Sequence, residues 1–407
     1  MIAVDEPTAR IVDVATMPDG TVRVALAFGD RLSEHLWPGH PPKIGDIVCV
    51  PDASDLSSAV RIGGVHSGAW DALGDGMRWR RTVGNGPSRL ETLRQRHTIR
   101  TAVRAFFDKE EFIEIDTPLL VRGTTPDAAI ASFAVGERYL VTSTEYQIKR
   151  SIAGGVDRAY TLTQNFRQGE AGRHHNPEFT MLEWARTGAA LEKIEQDAEA
   201  FVCQAYTALG GGDSLIYQGH AINLRPPWQR LTVAEAIWDV LGVRLPDFSL
   251  TSLQDLVQTL HVPIRAERMG DRVFLFTIIL DRVQSGLGHQ APVFLRDWPA
   301  FLTSSAYEKS PDGIADRSEL FVAGLEIGDG FAFLTDFDRQ KTGFDMQLAR
   351  RVEEGLPAVT LDAAYLEALR IGLPPGAGMA IGFDRLVMLL TDRADIKSVL
   401  AFAWDEV

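Results

Sequence analysis

Residues 161–187 read TLTQNFRQGEAGRHHNPEFTMLEWART, a loop of Gly, Glu, Arg, two His and Asn between two apolar, β-prone arms. Arg167 and Arg173 can fork onto phosphate oxygens, and the face of Phe179 can carry a stacked base. An arbitrary loop of this kind is more often a hairpin with a solvated basic tip, but two further stretches shift the balance. ELFVAGLEIGDGF places Glu319 and Glu326 seven apart among β-prone residues, where a bulge or twist brings both to one pocket. Hard carboxylates of that kind suit Mg²⁺. GMAIGFDRLVMLL opens on small residues at Gly378, Ala380 and Gly382 that let backbones approach, then starts an amphipathic helix at Asp384-Arg385. A cation near a helix start opposes the macrodipole, so Arg385 reads as serving something else, a phosphate. In TSTEYQIKR, residues 142–150, Glu145 is a carboxylate beside an apolar strand that can pair with a ligand ammonium, although a lone Glu is usually solvated.

Arg167 with Phe179, then the two glutamates, then Gly-x-Ala-x-Gly-x-Asp-Arg resemble motif 2, the metal-binding strand and motif 3 of class II aminoacyl-tRNA synthetases. Within that class the chain resembles the lysyl branch, including its truncated members, the elongation factor P β-lysine ligases. HNPEFTMLEW at 175–184, TSTEYQIKR and AFAWD at 401–405 carry that likeness, which extends from about residue 89 onward.

The resemblance implies adenylation of an amino acid by ATP with Mg²⁺. It assigns Glu145 to the substrate amino group and Arg167 to its carboxylate and the α-phosphate. Arg173 and His175 would reach the outer phosphates, Arg385 the γ-phosphate, and Phe179 would stack on adenine. Glu170 and Asn176 complete the ATP set, and Glu319 with Glu326 would hold Mg²⁺.

Three positions depart from the family pattern. Gly169 stands where motif 2 normally has Glu, with Glu170 one place later, so either Glu170 takes over the adenine amine or backbone and stacking hold the base. Lysyl enzymes read Glu-x-Tyr and Asn-Gly-Phe-x-Glu where this chain has Glu183-Trp184-Ala185 and Asp329-Gly330-Phe331-Ala332-Phe333. Losing both acceptors costs a buried ammonium several kcal/mol unless Glu183 and Asp329 compensate. The side-chain pocket formed by Glu183, Ala185, Asp329 and Phe333 therefore predicts a substrate that is not ordinary lysine, or one that presents its distal amine differently. Ala185 and Phe333 suit an apolar or aromatic group, and Asp329 an amine on a shorter arm.

The acceptor of the acyl group has several readings. A protein lysine, as in the elongation factor P ligases, needs only a docking face. The alternatives are a lysyl-type transfer to tRNA, a carrier protein or small amine in biosynthesis, and a noncatalytic amino-acid sensor. A sensor has no use for Arg167, Glu319, Glu326 and Arg385 together. A net charge of −14 argues against a broad nucleic-acid surface and makes tRNA the weaker reading.

The elements that must position these groups follow from periodicity. Residues 88–112, 189–209, 233–241, 252–260, 273–284 and 339–354 read as helices, and 293–299 as a strand. A hairpin is expected at 215–224. Residues 112–120, FIEIDTPLL, read as a strand that Pro118 ends or forces to an edge; the stretch resembles motif 1, the family's dimer interface, so a homodimer is expected. The resemblance implies an α+β fold, the class II synthetase antiparallel sheet flanked by helices, over residues 88–407, and a small β-barrel-like domain is expected at 1–70 with a linker at 71–87. In that first domain the turn Pro18-Asp19-Gly20 joins two alternating strands, and 44–50 and 59–65 add others. Phe28 is its main candidate for an aromatic platform. Residues 1–85 carry eleven acidic against eight basic side chains, which favours protein docking or a structural role over RNA binding.

With 407 residues and 45 % apolar content the chain can bury a large core. Two cysteines, Cys49 and Cys203, give neither a disulfide framework nor a zinc site, and His97, His220, His261 and His289 lack metal spacing. No apolar run of about 20 residues or basic-flanked leader is present, so a cytoplasmic, membrane-free protein is expected.

Overall fold

The computed structural model describes residues 8–28, 31–37, 42, 47–49, 60–63, 88–310 and 313–407. They divide into two compact units, Met1–Glu91 and Thr92–Val407. In the first, Thr8–Thr16 and Val22–Phe28 form the expected hairpin, turned by Gly20 at φ +84°. The Asp19 carboxylate accepts from the Thr21 amide at 3.0 Å, which fixes the turn. Arg31–Trp37, Val22–Phe28, Thr8–Thr16, Ile47–Cys49 and Val60–Gly63 lie side by side, all antiparallel. Among the described residues no pairing closes this sheet into a barrel. Arg31–Trp37 is a strand the pattern did not mark, because Glu34 interrupts its apolar set. Ile11, Val22, Val24, Leu26 and Val48 form the core. The 71–87 segment and the side chains of Phe28 and Cys49 lie outside the described residues.

The second unit is built on one large sheet. Its strands run Gln229–Thr232, Val293–Pro299, Ile314–Val322, Leu325–Ala332, Gly376–Gly382, Glu178–Thr187, Arg158–Phe166 and Ile113–Glu114, with Glu308–Ser310 beside Ile314–Val322. Only the two outermost pairings, Gln229–Thr232 with Val293–Pro299 and Ile113–Glu114 with Arg158–Phe166, are parallel among the described residues. The sheet is therefore mostly antiparallel, and helices pack on it. Arg89–Lys109 buries Ile99, Val103, Phe106 and Phe107, and Leu191–Ala208 buries Ile194, Ala198, Phe201 and Val202 at helical spacing. Phe107 stacks on Tyr160 at 4.4 Å between centroids, and Trp184 meets Phe201 edge-on at 5.2 Å. Each such aromatic contributes roughly 1.5–3 kcal/mol by leaving water. The centre of the sheet is thereby rigid.

Glu178–Thr187 lies between Arg158–Phe166 and Gly376–Gly382, and Gly376–Gly382 in turn pairs with Leu325–Ala332, so the three motifs lie on neighbouring strands. Gly376 and Gly378 are needed there: a Cβ would come within 2.3 Å of the Arg186 carbonyl oxygen and 2.7 Å of that of Trp184. The helices Val233–Leu241, Leu250–Thr259, Arg272–Gln284 and Phe337–Glu353 and the hairpin Ser214–Tyr217 with His220–Asn223 stand where periodicity predicts them.

FIEIDTPLL leaves the large sheet before Pro118, which lacks a ladder donor: Ile113–Glu114 pairs with Arg158–Phe166, and Leu120–Val121 joins a separate three-stranded sheet. Glu145 does not flank a strand but opens the helix Glu145–Ala153. Glu, Gln and Lys favour helix, and Tyr146, Ile148, Lys149 and Ile152 are its buried residues. No helix among the described residues is long and apolar enough to cross a membrane.

Candidate functional site

A cleft of about 550 Å³ opens over the strands Glu178–Thr187, Gly376–Gly382 and Leu325–Ala332. Arg167, Glu170, His175, Asn176, Phe179, Glu319, Glu326 and Arg385 line it together with Glu145, Glu183, Ala185, Asp329 and Phe333. Arg173 is the exception among the sequence-predicted residues. It does not line the cleft, and its Nε donates to the Ala394 carbonyl at 2.8 Å.

Arg167 ends the strand Arg158–Phe166, and its Nε donates to the Thr142 carbonyl at 3.4 Å. Its guanidinium carbon lies 5.4 Å from the Phe179 centroid, and Nη1 is 3.7 Å from the Glu170 carboxylate. Gly169 stands between them at φ +83°, a conformation a glutamate rarely adopts, and the turn it makes leaves Glu170 facing Arg167. Asn176 is committed to the scaffold, donating to the Glu178 carbonyl at 2.6 Å and accepting from the Trp404 amide at 3.0 Å.

Arg385 donates to the Glu326 carbonyl at 2.7 Å and the His174 carbonyl at 3.2 Å, and its Nη2 meets His175 Nε2. A guanidinium has no acceptor, so His175 Nε2 must accept and the ring is neutral. Burial lowers the His175 pKa below its ordinary value, and the Arg385 charge lowers it further. Asp384, 1 % exposed, anchors the neighbouring turn through Arg96 at 2.5 Å and the Thr180 amide at 2.8 Å.

Glu319 and Glu326 do not share one strand. They sit on Ile314–Val322 and Leu325–Ala332, joined by a tight turn at Ala323-Gly324 in which both residues have positive φ. A bulge between Leu320 and Phe321 offsets the register, and both carboxylates reach the cleft. Burial pushes the Glu319 carboxyl well above the usual carboxylate range; Arg317 opposes this, while Glu326 and Asp329 add to it. Two converging carboxylates, one disfavouring its own charge, fit a Mg²⁺ that takes its remaining ligands from water and phosphate. Among the described residues no cluster of three or more His, Cys, Asp or Glu could hold a metal without such help.

The inner end contains two cations that sequence reasoning passed over. Arg317 forks onto Asp329 at 2.9 and 3.0 Å and reaches Glu319 at 2.7 Å. Burial alone would lower its pKa, but Asp329 and Glu319 raise it above the ordinary value. Both Asp329 oxygens, which the sequence suggested for a ligand amine, are thus engaged by Arg317. The signal was present, since Arg317 is two residues from Glu319 and strand alternation puts both on one face. Lys149 Nζ lies 2.8 Å from Glu145 Oε1, four residues apart on one helix. Glu183 is 3 % exposed and accepts from Ser143 Oγ at 2.8 Å, Thr144 Oγ1 at 2.9 Å and the Thr144 amide at 3.1 Å. Burial raises its pKa, against those donors.

A model of the family described as tRNA synthetases class II (D, K and N) matches residues 78–406. A lysine--tRNA ligase of Synechococcus sp. is 32 % identical over 326 residues, covering 78 % of this chain and 64 % of that protein. An elongation factor P--(R)-beta-lysine ligase of Vibrio parahaemolyticus is 34 % identical over 325 residues, covering 77 % of this chain and 95 % of the relative. A protein of the same name from Buchnera aphidicola is 32 % identical over 330 residues and 96 % covered. The chain thus spans under two thirds of the Synechococcus lysine--tRNA ligase and nearly all of those two elongation factor P ligases.

Proposed function

The chain belongs to the class II tRNA synthetases of the D, K and N group, and on that premise we propose that it is an ATP-dependent amino-acid ligase that forms an aminoacyl-adenylate and transfers the acyl group to a protein amine. The observation that carries the reading is the convergence of Arg167, His175, Arg385, Glu319 and Glu326 on one cleft beside the face of Phe179. Anion-binding cations and paired carboxylates at one end of a cleft suit a triphosphate, and Glu183 at the other suits an ammonium.

In the first step a carboxylate oxygen of the amino acid attacks the α-phosphorus of ATP in line. The new O–P bond forms as the bridging bond to the β-phosphate breaks, and pyrophosphate departs. A carboxylate is already a nucleophile at neutral pH, so no side chain need remove a proton. The protein's part is alignment and fixed positive charge. Arg167 would sit on the α-phosphate, Arg385 and His175 on the outer phosphates, and adenine against Phe179, with Glu170 near its amine. Arg173 would serve the outer phosphates only after releasing Ala394. Glu319 and Glu326 would hold Mg²⁺, which supplies countercharge to the departing pyrophosphate. In the second step an acceptor amine attacks the acyl carbon, AMP leaves with the bonding pair, and the amine proton passes to solvent.

The protein acceptor is favoured over tRNA by coverage, since the matched region makes up 95 % and 96 % of two elongation factor P ligases but 64 % of the Synechococcus lysine--tRNA ligase. Exposed Ile113, Leu119 and Leu120 in FIEIDTPLL support the homodimer. A small β domain at 1–70, a linker at 71–87 and a catalytic domain at 88–407 complete the proposed organisation. ATP–pyrophosphate exchange tests the activity: exchange that depends on an added amino acid is expected, and its absence across all amino and β-amino acids refutes it. Labelling of a protein acceptor, with no charging of tRNA, is the expected second outcome.

A further inference from the structure

The deep end of the cleft is closed by the chain's own side chains. Phe333 is 5 % exposed, and a Cβ on Gly376 or Gly378 would lie 3.1 or 3.4 Å from its ring. Ala185 packs beside it, its Cβ 3.2 Å from where a Cβ on Gly378 would stand. The large ring at 333 and the small residue at 185 fill one space together. Lys149, its side chain 1 % exposed, places Nζ 4.9 Å from the centroids of both Phe331 and Phe333 and 5.8 Å from that of Tyr365. An ammonium over aromatic faces with one carboxylate partner is well sequestered.

We infer that the cleft takes an α- or β-amino acid with a short, uncharged side chain, whose ammonium is received by Glu183 rather than Glu145. This rests on the ligase reading above and names its substrate class. Glu145 is matched by Lys149, and Asp329 by Arg317. Glu183 accepts three bonds from neutral donors and has no cation in ion-pairing reach among the described residues. A carboxylate offers about four acceptor directions, so one remains for a ligand ammonium. Burying that charge without a cation is costly, and a ligand amine relieves the cost. A second ammonium, on the ligand's side chain, would meet Lys149 with both the carboxylate and the aromatic faces already taken. A long uncharged side chain would meet Phe333.

The test is ATP–pyrophosphate exchange by the full chain with glycine, L-alanine, β-alanine, L-norleucine, L-lysine and (R)-β-lysine. Wild type should prefer one of the first three over both lysines by on the order of 100-fold in kcat/KM, the discrimination expected of a like charge at close range in a protein site. L-Norleucine should fall with the lysines. Lys149→Met, which keeps bulk between the rings and frees Glu145, should raise L-lysine use at least about tenfold. Glu183→Gln should raise the KM of the preferred amino acid with the KM of ATP unchanged. Wild type that prefers lysine or β-lysine overturns this inference and leaves the ligase reading standing. Exchange with no amino acid overturns both. L-Norleucine used as well as L-alanine removes Phe333 as the stop, and folded Lys149→Met with unchanged lysine use removes Lys149; either outcome overturns the assignment.

Discussion

At the proposed phosphate end of the cleft Arg385 rests on two carbonyls and a neutral His, Arg167 lies 3.7 Å from Glu170, and Glu326 has a side chain 45 % exposed. At the inner end Lys149 and Glu183 are almost wholly buried, and Arg317 is forked onto Asp329. The first set of charges is held loosely enough to exchange its partners for a ligand, whereas the second is committed to the protein apart from one carboxylate. Groups that wait for a polyanion cost little stability when removed, because water already shares them. Groups that shape a pocket are core residues as well, and altering them disturbs packing. The two ends should therefore separate cleanly when activity and stability are measured side by side.

The largest effect belongs to Arg167→Ala. Removing a fixed charge from the reacting phosphate should lower exchange about 1000-fold, near 4 kcal/mol of transition-state stabilisation. The urea midpoint should stay close to that of wild type, since the side chain's one backbone bond is long. A loss of less than about tenfold would mean the phosphate is held elsewhere, and the contrast between the two ends would fail.

Next in size is Phe333→Ala, which should cost about 3 kcal/mol in urea unfolding by leaving a cavity against Ala185 and the Gly376–Gly382 strand. A variant as stable as wild type would show that the ring is not packed, and the inner end would then resemble the outer. Arg385→Ala, measured beside it, should shift stability by no more than about 0.5 kcal/mol.

How much of this was legible in the sequence follows the same division. The phosphate-end residues lie within short stretches that announce themselves by composition, so Arg167, Glu319, Glu326 and Arg385 could be found before any fold was known. Arg173 looked equivalent to Arg167 by residue type, yet the loop turns its side chain to the Ala394 carbonyl. The large antiparallel sheet was legible only through the family resemblance of the three motifs, while the break in FIEIDTPLL was signalled by Pro118. At the inner end the sequence showed which residues were unusual, Ala185 and Phe333, but not what replaced their function. Lys149 reaches their space from the helix Glu145–Ala153. Pairing between distant segments is a tertiary fact, and the helix itself read as the neighbour of a strand. For the same reason Asp329 looked available until Arg317 was seen beside it.

Glu183 offers a smaller and more diagnostic effect. Its carboxyl pKa is raised by burial, so in the folded chain it holds its proton to higher pH than it would unfolded. Such a group contributes stability below its unfolded value and loses it as pH rises through the folded value, which makes the charged form a liability at neutral pH. Glu183→Gln keeps the acceptor oxygen and removes the charge. It should raise the melting temperature by about 2 °C at pH 7, an advantage that shrinks in acid, while impairing amino-acid use. A destabilised Gln variant would mark Glu183 as a packing residue, and the exception at the inner end would disappear.

The smallest effect, on pH, distinguishes the ends through His175. Burial and Arg385 lower its pKa in the folded protein, so as pH falls below about 6.5 the unfolded chain takes up the proton first. The native state then binds fewer protons than the unfolded one, and stability decreases as pH decreases through that window. His174 is lowered for the same first reason, burial, and titrates alongside it. His175→Gln preserves an acceptor for the Arg385 guanidinium without titrating, so its unfolding free energy should decline less between about pH 6.5 and 5 than that of wild type. The difference should stay below about 1 kcal/mol, because solvent reaches this half-buried ring. A bound polyanion would reverse the sign, since negative charge beside His175 favours the imidazolium, and wild type with ATP should then lose less stability on acidification than wild type alone. Equal slopes with and without the nucleotide would place the phosphates away from His175 and Arg385.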